Sequence, residues 1–299
     1  MRNAVIGIGS NSVRMLVAET DGTKITPVLR ERCGTRLFAG LENGALTPQI
    51  IEVSCAAARE MARKAREAGA GATYIFATSA VRDAKNRDEF AQRIRSMTGL
   101  TLDVCSGEEE ARLSYAGAAL GGRCGMIDIG GGSTEITIGE GDEVLGAVST
   151  QMGAVRFHRL YPIQTPEAFE AVSVHAQEVL REGAAEISAL ARPDVWVGVG
   201  GTFTSLGAMD KQLKTFDRSL VEGYPLTQDA VCAWGRKLSV MPLEERLKLP
   251  GLQPQRADIV VHGMAILLGC MRHLDIETIR VSDKGNLDGY LRKKLLKKS

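Results

Sequence analysis

Several familiar signals are missing from this chain. Its six cysteines, Cys33, Cys55, Cys105, Cys124, Cys232 and Cys270, form no CxxC pair and no Cys/His ligand spacing, which excludes a zinc finger and argues against a disulfide framework. Reduced thiols in a cytoplasm fit that usage. The four histidines, His158, His175, His262 and His273, also lack ligand spacing and read as structural or solvated. Long apolar runs are absent: the longest, Ile259–Met271, contains His262 and is too short to span a bilayer. The N-terminus has no basic region leading into an apolar stretch, so neither export nor membrane insertion is expected. An excess of either charge is lacking too, since 37 Lys+Arg against 36 Asp+Glu leave a net +1, and no global field draws nucleic acid or an anionic membrane. The densest basic stretch, Arg292, Lys293, Lys294, Lys297 and Lys298, reads more simply as a solvated helix end than as a polyanion patch. There is no low-complexity linker and no coiled-coil heptad.

What remains is an ordinary soluble composition, 44% hydrophobic and 24% charged, over 299 residues, long enough for two domains. Within it one pattern occurs twice. Residues 4–23 read AVIGIGSNSVRMLVAETDGT and residues 125–144 read GMIDIGGGSTEITIGEGDEV, so Ile6, Ile8, Gly9, Ser12 and Asp21 reappear as Ile127, Ile129, Gly130, Ser133 and Asp142. Each copy runs apolar strand, small-residue turn, alternating strand, acidic-glycine turn, further strand, which predicts two consecutive β-hairpins. Between the copies, Thr47-Pro48 opens a helix over Gln49–Ala68 closed by Gly69–Gly71, and Thr73–Thr78 is a strand. Asp88–Met97 is a helix, Leu100–Cys105 a strand, and Ser106-Gly-Glu-Glu109 a capping box that starts a helix running to about Ala119. Gly121-Gly122 is the candidate domain junction. Beyond the second copy the pattern predicts a long helix over Pro166–Ala191, a buried strand Val195–Val199, a third glycine turn at Gly200-Gly201-Thr202, and helices near Thr227–Leu238 and Arg256–His273. A strand at Thr278–Ser282 and a helix from about Leu287 complete an α/β chain of two domains, 1–122 and 123–285, the helix of 286–299 rejoining the first.

Side-chain-free turns let backbone N–H groups approach an anion, so two such turns facing across a cleft would grip a phosphate chain from both sides. Gly7-x-Gly9-x-x-Ser12 imitates a dinucleotide loop, but Val13–Glu19 reads as a strand where that loop needs a helix. In Asp128-Ile-Gly-Gly-Gly-Ser-Thr-Glu135, three glycines weaken both flanking strands, which favours anion binding over a structural hairpin. Asp128 ends a buried strand, where a divalent cation would satisfy its carboxylate. Glu135 either orients the metal's water shell or faces solvent.

The segments GSNSVRML (9–16), TRLFAGLENGALT (35–47), TSAVRDAKN (78–86), SGEEEARLSYAG (106–117), DIGGGSTEITIGE (128–140), MGAVRF (152–157), GVGGTF (198–203), RADIVVHGMAIL (256–267) and VSDKG (281–285) resemble the exopolyphosphatase/guanosine pentaphosphatase family, in order and over essentially the whole chain. The resemblance implies two actin-like (ribonuclease H-like, ASKHA) domains around an interdomain cleft. It implies a Mg²⁺-dependent (or Mn²⁺-dependent) cytoplasmic hydrolase that releases terminal phosphate from inorganic polyphosphate or guanosine pentaphosphate. By motif, Glu110 takes the place of the water-activating glutamate and Arg82 that of a phosphate-contacting arginine. Ser10, Asn11 and Ser12, with Gly130, Gly131, Gly132, Ser133 and Thr134, would cradle the phosphates, Gly200, Gly201 and Thr202 would line the cleft, and Asp128 with Glu135 would hold the metal. Pairing into homodimers is implied too, with no nucleic-acid or membrane partner.

The chain departs from the family pattern at two places. Gly7 stands where A-x-[IV]-D-x-G-S-N-S carries Asp, and SDKGNLDG stands where SDxGLREG is usual, so Leu287 takes the Arg position and Asp288 the Glu position. The length matches the short members, which lack an additional helical domain. A rival reading is therefore a polyphosphate or guanosine-nucleotide sensor with weakened turnover, and a weaker one an actin-like kinase.

Overall fold

A computed structural model describes residues 1–21 and 24–295. Gly22 of the first acidic-glycine turn and Lys297 and Lys298 of the basic run lie outside the described residues. The chain forms two compact units, Met1–Gly117 together with the segment from Asn286, and Ala118–Gly285. The division falls between Gly117 and Ala118, a few residues before the Gly121-Gly122 pair.

The first unit begins with β1 (Arg2–Ile8), β2 (Ser12–Thr20) and β3 (Ile25–Gly34), an antiparallel meander. β1 is an almost unbroken apolar run, as suits a central strand covered on both faces. β3 is an edge strand, and only there is Pro27 tolerated, beside a register shift at Val17/Ala18. A 3₁₀ turn (Leu37–Gly40) and the short hairpin β4 (Leu41–Glu42) and β5 (Ala45–Leu46) lead into α1 (Pro48–Glu67). Thr47 caps α1 by accepting from Ile50 N–H, and Pro48 occupies the first turn, where its missing N–H costs nothing. Then follow β6 (Ala72–Ala77), α2 (Ser79–Arg82), α3 (Arg87–Thr98), β7 (Asp103–Val104) and α4 (Gly107–Ala118). The sheet order is β3-β2-β1-β6-β7, with β6 and β7 parallel to β1. The predicted strand over Leu100–Cys105 contracts to the two residues of β7.

The second unit repeats the plan. β8 (Arg123–Ile129), β9 (Thr134–Glu140) and β10 (Glu143–Thr150) form a second antiparallel meander, followed by α5 (Ala154–Leu160), α6 (Pro166–Gly183), α7 (Ala185–Ser188) and β11 (Val195–Val199). The helix expected over Pro166–Ala191 breaks at Ala184, whose φ of −130° leaves the helical region. Next come α8 (Gly201–Asp210), α9 (Arg218–Val221), β12 (Pro225–Thr227), α10 (Gln228–Ser239), α11 (Leu243–Arg246), α12 (Val260–His273) and β13 (Thr278–Ser282). Arg256 ends a separate 3₁₀ turn rather than opening α12, a correction to the predicted Arg256–His273 helix. Sheet order is β10-β9-β8-β11-β13-β12, the first unit's order with one antiparallel strand added. From Val260 to Met271, α12 is buried on every side, as an all-round apolar helix must be. Among the described residues no helix is long and apolar enough to cross a membrane.

The last described element is α13 (Asn286–Leu295), which belongs to the first unit. Leu287, Tyr290 and Leu291 pack with Val5, Leu16, Phe76, Cys105 and Leu113. Tyr290 stacks on Phe76 at 4.8 Å and donates to Asp103 at 3.0 Å. Gly289 is required here, because a Cβ would lie 1.8 Å from the Leu113 carbonyl oxygen.

Candidate functional site

Both meanders close with the same bond. Gly9 N–H donates to Ser12 O at 3.0 Å, and Gly130 N–H to Ser133 O at 3.0 Å. In each unit the segment after the third strand folds back onto this turn. In the first, Thr35 and Arg36 N–H donate to Asn11 O at 3.2 and 3.1 Å and Phe38 N–H to Ser10 O at 2.8 Å. In the second, Ala154 N–H donates to Gly130 O at 3.0 Å, and Val155 and Arg156 N–H to Gly131 O at 2.9 and 3.0 Å. Gly153 permits that return, because a Cβ there would stand 2.3 Å from Gly131 O. The duplication thus extends to a return segment that the sequence repeat did not reveal.

In the first unit Ser10 Oγ and Ser79 Oγ share a hydrogen bond of 2.8 Å. The capping box forms as predicted, Ser106 N–H donating to Glu109 Oε2 at 2.9 Å and Glu109 N–H to Ser106 Oγ at 3.1 Å. It anchors the first turn of α4, on which Glu110 is buried to 5% exposure. Arg82 Nη1 donates to Glu110 Oε2 and to Cys105 O, both at 3.1 Å, while its Nε lies 3.8 Å from Asp83. The surface pair with Asp83 that Arg82's sequence neighbours suggest is therefore secondary to a largely buried pair with Glu110, in which the guanidinium orients the carboxylate.

Gly7 and Leu287, the two departures from the resembled pattern, meet in space. A Cβ on Gly7 would lie 3.0 Å from Leu287 Cδ2 and 3.1 Å from Phe76 Cζ. Leu287 fills the hollow left by the missing side chain, and Asp288 forms a half-buried ion pair with Arg30. Arg14, opposite Gly7 in register, donates to Asn286 Oδ1 at 3.0 Å.

In the second unit Asp128 and Glu135 are direct cross-strand partners on β8 and β9, at 7% and 0% exposure. Glu135 does not face solvent, and its Oε1 accepts from Ser149 Oγ at 2.7 Å. Thr134 donates its hydroxyl proton to Met152 O at 2.6 Å. Arg156 Nε donates to Gly132 O at 2.7 Å. Gly200 has φ +101° and stands against Asp128, with a Cβ there 3.1 Å from Oδ1 and 2.8 Å from Ile129 O, so only a residue without a side chain fits beside this carboxylate. Next to it, the Arg256 guanidinium lies across Gly201 at the start of α8, where a Cβ would fall 1.6 Å from its Cζ. Thr202 is buried and packs against Gly263.

Arg256, Thr35 and Arg156 were given no role in the sequence reading. Each does fall inside a resembled segment, and that was the available signal. Among the described residues no group of three or more His, Cys, Asp or Glu is arranged to hold a metal. The cross-strand pair Asp128 and Glu135 offers oxygen ligands of the kind a hard cation that keeps most of its waters takes, as Mg²⁺ does. Burial pushes the Cys55, Cys105 and Cys270 thiols up to about 12, which disfavours thiolate chemistry at those three.

The profile of the Ppx/GppA phosphatase family matches residues 16–298. Exopolyphosphatase 2 of Mycobacterium tuberculosis is 31% identical over 315 residues, covering 96% of this chain and 97% of that protein. Exopolyphosphatase 1 of Mycobacterium bovis is 29% identical over 305 residues, covering 99% and 88%. The solved Ppx/GppA enzyme of Aquifex aeolicus has 30% identity and a TM-score of 0.82 over 98% of this chain and 99% of that one. An exopolyphosphatase from Cytophaga hutchinsonii, at 22% identity, shares the fold with a TM-score of 0.88 over 99% of each chain.

Proposed function

The chain belongs to the Ppx/GppA phosphatase family, and on that premise we propose that it is a Mg²⁺-dependent phosphoanhydride hydrolase releasing terminal phosphate from inorganic polyphosphate or guanosine pentaphosphate. The observation that carries the reading is the buried Asp128 with Gly200 set closely against its carboxylate, and the Arg256 guanidinium lying across the adjacent Gly201 at the start of α8. A phosphate at the start of α8 would meet that guanidinium, the backbone donors of the helix terminus, and the positive end of its dipole. Asp128 and Glu135 would hold Mg²⁺. Bound there, the ion supplies charge neutralisation for phosphoryl oxygens.

Glu110 is the general base in this reading. Arg82 holds the carboxylate in one orientation, so that it accepts a proton from water as the nucleophile attacks. Backbone and side-chain donors of Ser10, Asn11 and Ser12 in the first unit, and of Ser133 in the second, are the groups suited to position phosphoryl oxygens, and in phosphoryl transfer such placement contributes more than the base. Phosphate release with Mg²⁺ from polyphosphate, guanosine pentaphosphate and ATP, run in parallel with and without chelator, is the test. Chelator-sensitive release from one of the first two supports the reading, whereas no release from any of the three refutes it.

Leu287 seated against Gly7 favours a second reading, a phosphate-chain sensor of low turnover, because no carboxylate enters that position. Tight binding of polyphosphate together with no release would select it.

A further inference from the structure

Thr35 lies on the segment that returns from β3 over the first glycine turn. Its N–H and that of Arg36 converge on the single Asn11 carbonyl. Arg36 holds φ at +53°, a left-handed backbone uncommon for a residue with a side chain, which is how the chain reverses tightly enough to lie on the turn. Thr35 is 4% exposed and Asn11 9% exposed. Neither Thr35 Oγ1 nor Asn11 Nδ2 has a hydrogen-bond partner among the described residues, although both atoms are shut off from solvent.

Buried donors without acceptors are rare because each costs the fold its desolvation. Other hydroxyls in that state, those of Ser54, Ser173 and Ser205, are scattered singly on α1, α6 and α8. Thr35 and Asn11 differ in being joined by a backbone bond where the return segment meets the turn, so two unpartnered side-chain donors belong to bonded neighbours. The second turn differs as well, since the Thr134 hydroxyl there already serves Met152 O. A phosphoryl oxygen, charged and able to accept several donors, is the group that would satisfy both.

We propose that Thr35 and Asn11 form a donor pair for a phosphoryl oxygen of the substrate, which makes Thr35 a binding residue outside the glycine-turn motif. This rests on the phosphohydrolase reading above. The contact is made in ground and transition states alike, so it acts on affinity rather than on turnover.

The test uses the full chain with Thr35→Val, Thr35→Ala and Thr35→Ser, and Ser173→Ala as a control for loss of an orphan hydroxyl remote from the turn. The readouts are calorimetric binding of tripolyphosphate in Mg²⁺, KM and kcat on polyphosphate, and Tm. Thr35→Val and Thr35→Ala should raise the tripolyphosphate Kd and the polyphosphate KM by about 10- to 100-fold, the worth of a hydrogen bond to a charged group, with kcat within about twofold. Tm should hold or rise in Thr35→Val, because an unsatisfied hydroxyl has been removed at constant shape. Thr35→Ser and Ser173→Ala should bind as wild type does. An unchanged Kd and KM in Thr35→Ala, with wild type binding tripolyphosphate normally, overturns the donor pair and leaves the phosphohydrolase reading standing. A wild-type chain that neither binds tripolyphosphate nor releases phosphate from polyphosphate overturns both.

Discussion

Placing aspartate at position 7 should destabilise the protein, and the reason lies in α13. The new Cβ would approach Leu287 Cδ2 to 3.0 Å and Phe76 Cζ to 3.1 Å. Phe76 cannot move aside because Tyr290 is stacked on it at an interplanar angle of 7°. Leu287 must yield. Overpacking of this kind costs about 1–3 kcal/mol, and a carboxyl group drawn into the apolar cluster of Val5, Leu16, Phe76 and Leu287 adds about 1–3 more. Loss of glycine's freedom in the unfolded chain returns about 0.4–1 kcal/mol. The net expectation is about 1–5 kcal/mol of destabilisation and a correspondingly lower Tm. Leu287→Ala empties the same hollow, so the double variant should be more stable than the sum of the single changes by about 1 kcal/mol or more. Urea unfolding of the four proteins measures this cycle. Additivity within about 0.5 kcal/mol would refute the argument that Gly7 and Leu287 are one packed unit. The same variants speak to function: Gly7→Asp with unchanged Mg²⁺-dependent turnover would remove the main support for the sensor reading.

Two further outcomes follow. Glu110→Gln should bind phosphate chains nearly as wild type does while hydrolysing them about 10²–10⁴-fold more slowly, and activity within a few-fold of wild type in a release assay would exclude Glu110 as the base. Burial lowers the His262 pKa to about 4, against 6.5 in model peptides, and Nε2–H donates to Tyr161 O at 2.8 Å. The unfolded chain therefore takes up the proton first, so stability is fully present above pH 6.5 and falls as pH drops toward 4, by up to about 3 kcal/mol. Denaturant unfolding from pH 7 to pH 4 should show this slope in wild type and a shallower one in His262→Asn, and equal slopes would exclude the assignment.

The parts of the site that could be read in advance are those made by neighbours in sequence. The glycine turn closes on itself within four residues, Gly9 to Ser12 and Gly130 to Ser133, so the repeat alone carries it. The Ser106/Glu109 box and the Thr47-Pro48 start are equally local. The Arg82–Glu110 pair was not legible, because 28 residues separate the partners and Asp83 is the nearer candidate in the chain. The partner of the Thr134 hydroxyl was not legible either, because only the return of the chain through Met152 supplies the carbonyl that takes its proton.

The amino-acid order by itself determined the alternation of strands and helices and the duplicated turns, since these depend on side-chain periodicity and on backbone freedom within a few residues. Tertiary structure alone decided that α13 returns to the first unit and sets Leu287 into the hollow at Gly7. It alone laid Arg256 across Gly201 and brought Thr35 onto Asn11. Such contacts join distant segments, and they are chosen by how whole layers bury their apolar faces rather than by any local preference of the residues that meet.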